Sequence, residues 1–171
     1  MDLETALSRA RELLEPLGAA VTRPGPGRID AVLSREKLIH AVGALKDARW
    51  GYLSAITGLD HPAPTPKKPA PGAAEAAPLP PAENLIEALY HFSEGAAVVT
   101  LRVTVPYSDA RLPSICGLVP SAVLYEQELA EMFGVTVEGI PVTGHLLLPD
   151  DWPAGQYPLR KSFTGLPRAG A

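Results

Sequence analysis

Apolar residues recur at helical spacing from the start of the chain. Leu3, Ala6, Leu7, Ala10, Leu13, Leu14 and Leu17 line one face, and Gly18 supplies a stop. After the turn-rich stretch Pro24 to Gly27, the segment Arg28 to Leu33 alternates loosely and predicts a short strand. Ser34 can cap a second helix with Glu36 in its first turn, and Leu38, Ile39, Val42 and Leu45 give the stripe of a helix over about Arg35 to Lys46. Trp50, Tyr52, Leu53 and Ile56 form a β-prone run that fades at Gly58 and Asp60. Further on, Ile86, Ala88, Tyr90 and Phe92 alternate with Leu85, Glu87, Leu89 and His91. Beyond a turn at Ser93 to Ala96, Val99, Leu101, Val103 and Val105 alternate with Thr100, Arg102 and Thr104. A period of two on both sides of a glycine-containing turn predicts a β-hairpin. Past Pro106 the period becomes helical again. Ser121 can cap a helix carrying Leu124, Tyr125, Leu129, Met132 and Phe133, which ends at Gly134.

Two stretches carry little periodicity. His61 to Ala82 is dominated by proline and alanine, with too little to bury to offset the entropy of ordering it, so it is expected to be an extended, solvated insertion. Its proline spacing alone is a weak motif for a polyproline-binding partner. Val135 to Ala171 is rich in glycine and proline and is expected to be an extended C-terminal arm, because a long structureless tail on a compact domain usually wraps around something. Neither side of the insertion has enough strands to close a core alone. The pattern therefore predicts one α+β domain over 1–134 with an insertion at 61–82, followed by an arm at 135–171. Its architecture is a two-layer sandwich: a mixed, mostly antiparallel sheet built from Arg28 to Leu33, Trp50 to Thr57, Asn84 to Ser93 and Ala97 to Val105, with helices on one face.

Composition narrows the function classes. The chain has 171 residues, a formal charge of −4 and 46% hydrophobic residues, which argues against disorder throughout and against a nucleic-acid footprint. The single cysteine, Cys116, can neither close an internal disulfide nor hold a cluster or structural zinc by itself, and is expected to be a small buried hydrophobe. Met1 to Ala10 lacks the continuous apolar run of a signal peptide, and no window approaches the roughly 20 apolar residues of a membrane span. Any membrane contact is expected to be made through partners.

Candidate chemistry is sparse. His40, His61, His91 and His145 do not fall at metal-ligand spacing with one another or with Cys116. Gly25 and Gly27 precede a strand rather than linking a strand to a helix, the wrong setting for a dinucleotide fingerprint. Ser114, His145 and Asp150 could be assembled into a triad, but no serine sits in a nucleophile elbow. The helix Ser121 to Phe133 is more informative, because it carries Glu126, Glu128 and Glu131. Projected at 100° per residue, Glu128 falls among Leu124, Tyr125, Leu129 and Met132, with Glu126 and Glu131 on the flanks. A carboxylate on a packing face must be paired. Glu128 is therefore expected to meet Arg160, Arg102 or backbone amides of the arm. An acid/base enzyme using Glu128 with His145 is the competing reading.

The run Glu126, Gln127, Glu128, Leu129, Ala130, Glu131, Met132, Phe133, Gly134 resembles a signature helix of the C subunit of respiratory NADH:quinone oxidoreductases (complex I). Leu147, Leu148, Pro149, Asp150, Asp151, Trp152 and then Tyr157, Pro158, Leu159, Arg160, Lys161 resemble that family's carboxy-terminal signature. Tyr52 to Asp60 resembles its second strand, and the resemblance spans roughly Arg28 to Phe163. Gln127 stands where the family usually has arginine, Ile140 replaces a histidine, and Gly144 with His145 replaces an arginine pair. The Gly139 to Pro141 turn is also reminiscent of energy-converting hydrogenases and formate hydrogenlyases. The resemblance implies a peripheral-arm subunit on the cytoplasmic side of the cell membrane. Such a subunit has no cofactor, metal or catalytic residue of its own, while NADH, flavin, iron–sulfur clusters and quinone are held by partner chains. It implies packing against the quinone-reducing D subunit and the iron–sulfur subunits. Glu126, Glu128, Glu131, Gly134, Asp150, Asp151, Trp152, Pro158, Leu159, Arg160 and Lys161 would be the structural or interface residues.

Overall fold

In the computed structural model, which describes residues 2–63, 83–142 and 144–166, the two strongly alternating runs form long paired strands. These are β4 (Leu85–Glu94) and β5 (Ala97–Pro106), with Glu94 opposite Ala97 across the turn. Before them come α1 (Leu3–Leu14), β1 (Ala20–Gly25), β2 (Arg28–Val32), α2 (Leu38–Asp47) and β3 (Tyr52–His61). After them come β6 (Arg111–Pro113), α3 (Val123–Phe133) and β7 (Thr136–Glu138). The main sheet has the order β1-β2-β5-β4-β3, with β2 parallel to β5 and every other pair antiparallel. This is the expected mixed, mostly antiparallel α+β sheet.

The registers explain how its two faces divide. Ala31, Leu101, Tyr90 and Ile56 stand opposite one another across four strands, and this row belongs to the face carrying the buried apolar residues. Ala6, Leu7, Ala10 and Leu14 of α1 and Leu38, Ala41, Val42 and Leu45 of α2 join that core. The Trp50 indole donates to the Ala6 carbonyl at 2.8 Å, so its one polar group is satisfied in the interior. Side chains alternate across a strand, so the neighbouring row, Asp30, Thr100 and His91, occupies the other face. There Arg102 donates to Glu87 at 2.6 Å and to Asp30 at 3.0 Å, while Arg28 donates to Asp30 at 2.8 Å. Burial pushes the Glu87 carboxyl up, but Arg102 and His61 outweigh it and hold it below the ordinary glutamate value. Charge on this face is thus paired within the sheet.

Several expectations need correction. Strand β1 is an addition to the predicted elements, and it forms the outer strand beside β2. Strand β3 continues to His61, which stands opposite Leu85, so the insertion starts after His61; residues 64–82 lie outside the described residues. The second helix opens as a 3₁₀ turn at Arg35–Lys37, and the Ser34 hydroxyl does not cap it. The arm expected from Val135 begins inside the fold, with Val135 and Val137 buried and β7 parallel to β6. Residues 144–166 form consecutive turns folded back on the end of α3 rather than an extended arm.

Candidate functional site

Helix α3 follows a 3₁₀ turn at Pro120–Ala122, and its buried positions are Glu126, Leu129 and Phe133, in line with Ala122 just before it. The buried carboxylate is therefore Glu126. It is 0% exposed and accepts the Ile115 N–H at 2.6 Å, the Ser114 hydroxyl at 2.6 Å and the Cys116 thiol at 3.1 Å. Three donors from one loop satisfy both oxygens, and the helix is pinned to residues 114–116. Cys116 is buried as expected; burial and the adjacent Glu126 push its thiol up, away from the reactive thiolate. Glu128, expected on the packing face, is exposed, and Leu124, expected to be buried, is 56% exposed. Glu128 borders a small cavity of about 120 Å³ with Ile56, Thr57, Gly58, Phe133 and Leu159.

The amides expected to meet Glu128 meet Glu131 instead. Its carboxylate accepts the backbone N–H groups of Leu146, Leu147 at 2.9 Å and Leu148 at 3.3 Å, and His145 Nδ1 lies 3.4 Å away. Burial pushes the Glu131 carboxyl up, but those amides and His145 outweigh it and hold it below the ordinary glutamate value. His145 is thus paired with Glu131, and the expected alternative, Glu128 with His145, is not formed. Ser114 gives its hydroxyl to Glu126, so Ser114, His145 and Asp150 do not assemble as a triad either. Among the described residues, no group of three or more His, Cys, Asp or Glu could hold a metal ion.

A second clamp holds the turn at Tyr157–Phe163. Arg160 donates through Nε to the Phe133 carbonyl at 2.7 Å, and its guanidinium lies between the rings of Tyr107, 4.1 Å away, and Tyr157, 4.2 Å away. The Leu159 N–H donates to the Met132 carbonyl at 3.1 Å. These two bonds use carbonyls at the end of α3 that have no partner within the helix. Gly134 makes the approach possible: its φ of +70° is the left-handed helix-end conformation, and a Cβ there would strike the Tyr157 ring and sit 2.7 Å from Arg160 Nη2. Asp60, buried at the end of β3, accepts the Lys161 N–H at 2.6 Å and the Tyr107 hydroxyl. Burial and the bond to Asp60 push the Tyr107 phenol up to about 12.

Between the two clamps lie Asp150 and Asp151, both exposed. Trp152 donates its indole N–H to the Gln156 carbonyl at 2.9 Å and packs near Phe163, with ring centroids 6.1 Å apart. Leu159 is 52% exposed, the Lys161 side chain is exposed, and Pro158 is half-buried. Trp152, Pro153 and Tyr157 face Ala130 and Glu131 across a cavity of about 360 Å³. The structure thus gathers Glu131, Gly134, Trp152, Pro158, Leu159, Arg160 and Lys161 at one end of α3, and places Glu126 on the opposite, loop-facing side. Asp60 and Tyr107 belong to this group but carried no periodic signal. Asp60 shares the core face with Ile56, and a carboxylate in that position needs donors.

Residues 31–168 match the family described as respiratory-chain NADH dehydrogenase, 30 kDa subunit. The chain belongs to that family. It is 31% identical over 166 residues to NADH-quinone oxidoreductase subunit 5 of Thermus thermophilus, covering 95% of this chain and 72% of that one. The C/D subunit of the NADH-quinone oxidoreductase of Azotobacter vinelandii is 30% identical over 135 residues, covering 77% of this chain and 21% of that one. Formate hydrogenlyase subunit 5 of Escherichia coli is 44% identical over 63 residues, covering 37% of this chain and 11% of that one. The chain spans about half (49%) of the C subunit that it matches in a Nocardioides species. The 30 kDa family therefore has hydrogenase relatives here. A solved structure of a trypsin-resistant fragment of Nqo5 aligns with a TM-score of 0.61 at 26% identity, covering 81% of this chain and 99% of that one. An archaeal membrane-bound sulfane sulfur reductase shares the fold, with a TM-score of 0.71 at 24% identity, covering 94% of this chain and 86% of that one.

Proposed function

We propose that the protein is a cofactor-free peripheral-arm subunit of a proton-translocating NADH:quinone oxidoreductase, and that it supports assembly of the quinone-reducing module. Its turn segment at 144–166 is the part that docks onto the D subunit, next to the iron–sulfur subunits. The observation that carries this reading is the division of labour in that segment. Its backbone N–H groups are held by Glu131 and Asp60, and its Arg160 side chain is fastened to the Phe133 carbonyl, while Asp150, Asp151, Leu159 and Lys161 face outward. A pre-ordered loop with exposed charged and apolar groups loses less entropy on docking than a free tail. The C/D relative supports a C-to-D partnership, since its name joins the two in one chain. In this reading NADH, flavin, iron–sulfur clusters and quinone belong to partner chains. The protein is held at the cytoplasmic side of the membrane through them; among the described residues no helix is long and apolar enough to cross it.

The match to formate hydrogenlyase subunit 5 favours a second reading, the equivalent subunit of an energy-converting hydrogenase. Isolating the native complex through a tag on this chain and identifying the co-eluting subunits separates the two. Flavin-binding and NADH-oxidising subunits are expected. A nickel-binding hydrogenase subunit in their place would establish the second reading, and a chain that elutes alone would contradict both.

A further inference from the structure

We infer that Asp60 is the positioning residue of the docking segment: one buried carboxylate at the end of β3 fixes where residues 157–163 sit before any partner is bound. The inference rests on the docking role proposed above and deepens it. Each oxygen of Asp60 takes a different element. Oδ1 accepts the Tyr107 hydroxyl from the turn after β5, and Oδ2 accepts the Lys161 N–H of the segment at 2.6 Å. Tyr107 in turn forms one wall for the Arg160 guanidinium, whose other wall is Tyr157 and whose Nε reaches the Phe133 carbonyl. Asp60 therefore acts twice, directly on Lys161 and through Tyr107 on Arg160.

Strand β3 is shaped for this task. Two residues earlier on the same face, Gly58 leaves the room that the Phe133 ring fills, since a Cβ there would overlap the ring. The end of α3 is seated by Gly58, and the segment leaving it is seated by Asp60. The result is that Leu159, 52% exposed, projects outward from a backbone tied on both sides, through its own N–H to Met132 and through the Lys161 N–H to Asp60.

Hydrogen exchange and trypsin digestion of the full chain test the anchor without any partner. Asp60→Ala is expected to speed exchange at residues 157–163 by about tenfold or more, as for loss of a charge-assisted hydrogen bond, while β4 and β5 stay protected. Cleavage after Arg160 and Lys161 should accelerate in parallel. Asp60→Asn should largely restore protection, because its carbonyl can accept from Lys161 while its amide donates to the Tyr107 oxygen. Asp60→Leu, which fills the volume without an acceptor, should not. Unchanged exchange at 157–163 in Asp60→Ala, or equal rescue by leucine and asparagine, overturns the inference. If Asp60→Ala also exposes β4 and β5, Asp60→Leu, which leaves no hole, decides: faster exchange confined to 157–163 supports the anchor, and no change overturns it. Capture of the co-expressed D subunit by the same variants tests the docking reading separately. Faster exchange with undiminished capture would leave the anchor standing and remove the docking role.

Discussion

Glu126 and Glu128 sit two positions apart on one helix and have opposite fates. The helical projection favours Glu128 as the buried acid because it lies among Leu124, Tyr125, Leu129 and Met132, and residue type alone places those four inside. What decides the matter is a set of donors that no periodicity records: the Ile115 N–H, the Ser114 hydroxyl and the Cys116 thiol converge on Glu126. Glu126→Ala leaves those buried donors without an acceptor and should cost about 3 kcal/mol or more in urea unfolding of the full chain. Glu128→Gln, on an exposed side chain, should stay within about 0.5 kcal/mol. The reverse order would restore the assignment of Glu128 as the buried acid.

Glu131 gives the segment a dependence on pH. Its folded carboxyl lies below the ordinary glutamate value, so its contribution is complete above the unfolded pKa of about 4.3 and is lost as the pH falls through the lower folded value. Exchange at residues 146–148, corrected for the intrinsic rate, should therefore rise in acid below that value. Glu131→Gln should flatten this dependence, and an identical acid response in the variant would place the titration elsewhere.

Among the elements, legibility follows burial contrast. Strands β4 and β5 are readable because one face is apolar and the other carries Glu87, His91, Thr100 and Arg102. Strand β1 is not readable, because as an edge strand it buries no residue fully and its Pro24 and Gly25 resemble a turn. The turns at 144–166 lack a pattern because their order comes from side chains elsewhere, Glu131 and Asp60, catching backbone N–H groups. For the insertion, the ends matter most. His61 stands opposite Leu85 in antiparallel strands, so a short link can join them. Removing Pro64 to Pro78 should leave thermal stability almost unchanged, since closure entropy varies only logarithmically with loop length. A loss of several kcal/mol would show that the insertion packs.

At the scale of the whole molecule, the sheet separates two kinds of order. Helices and apolar residues occupy one face, a closed network of arginines and carboxylates occupies the other, and the turns after β7 are fastened at the end of α3. Family membership is legible in the Glu126–Gly134 and Leu147–Lys161 runs, because each is local in the chain and the two follow one another in fixed order. The anchoring partners Asp60 and Tyr107 are not, because they come from distant parts of the chain. In the proposed function, the outward side chains of this fastened segment bind the D subunit. The most direct test is capture of the co-expressed D subunit by the full chain carrying Asp150→Lys, Asp151→Lys and Leu159→Asp together, three changes at exposed positions. An unchanged melting temperature and a loss of capture of at least about tenfold are expected, since reversing charge at an interface rim and burying a new carboxylate both oppose docking. Full capture by a variant that folds normally would contradict it.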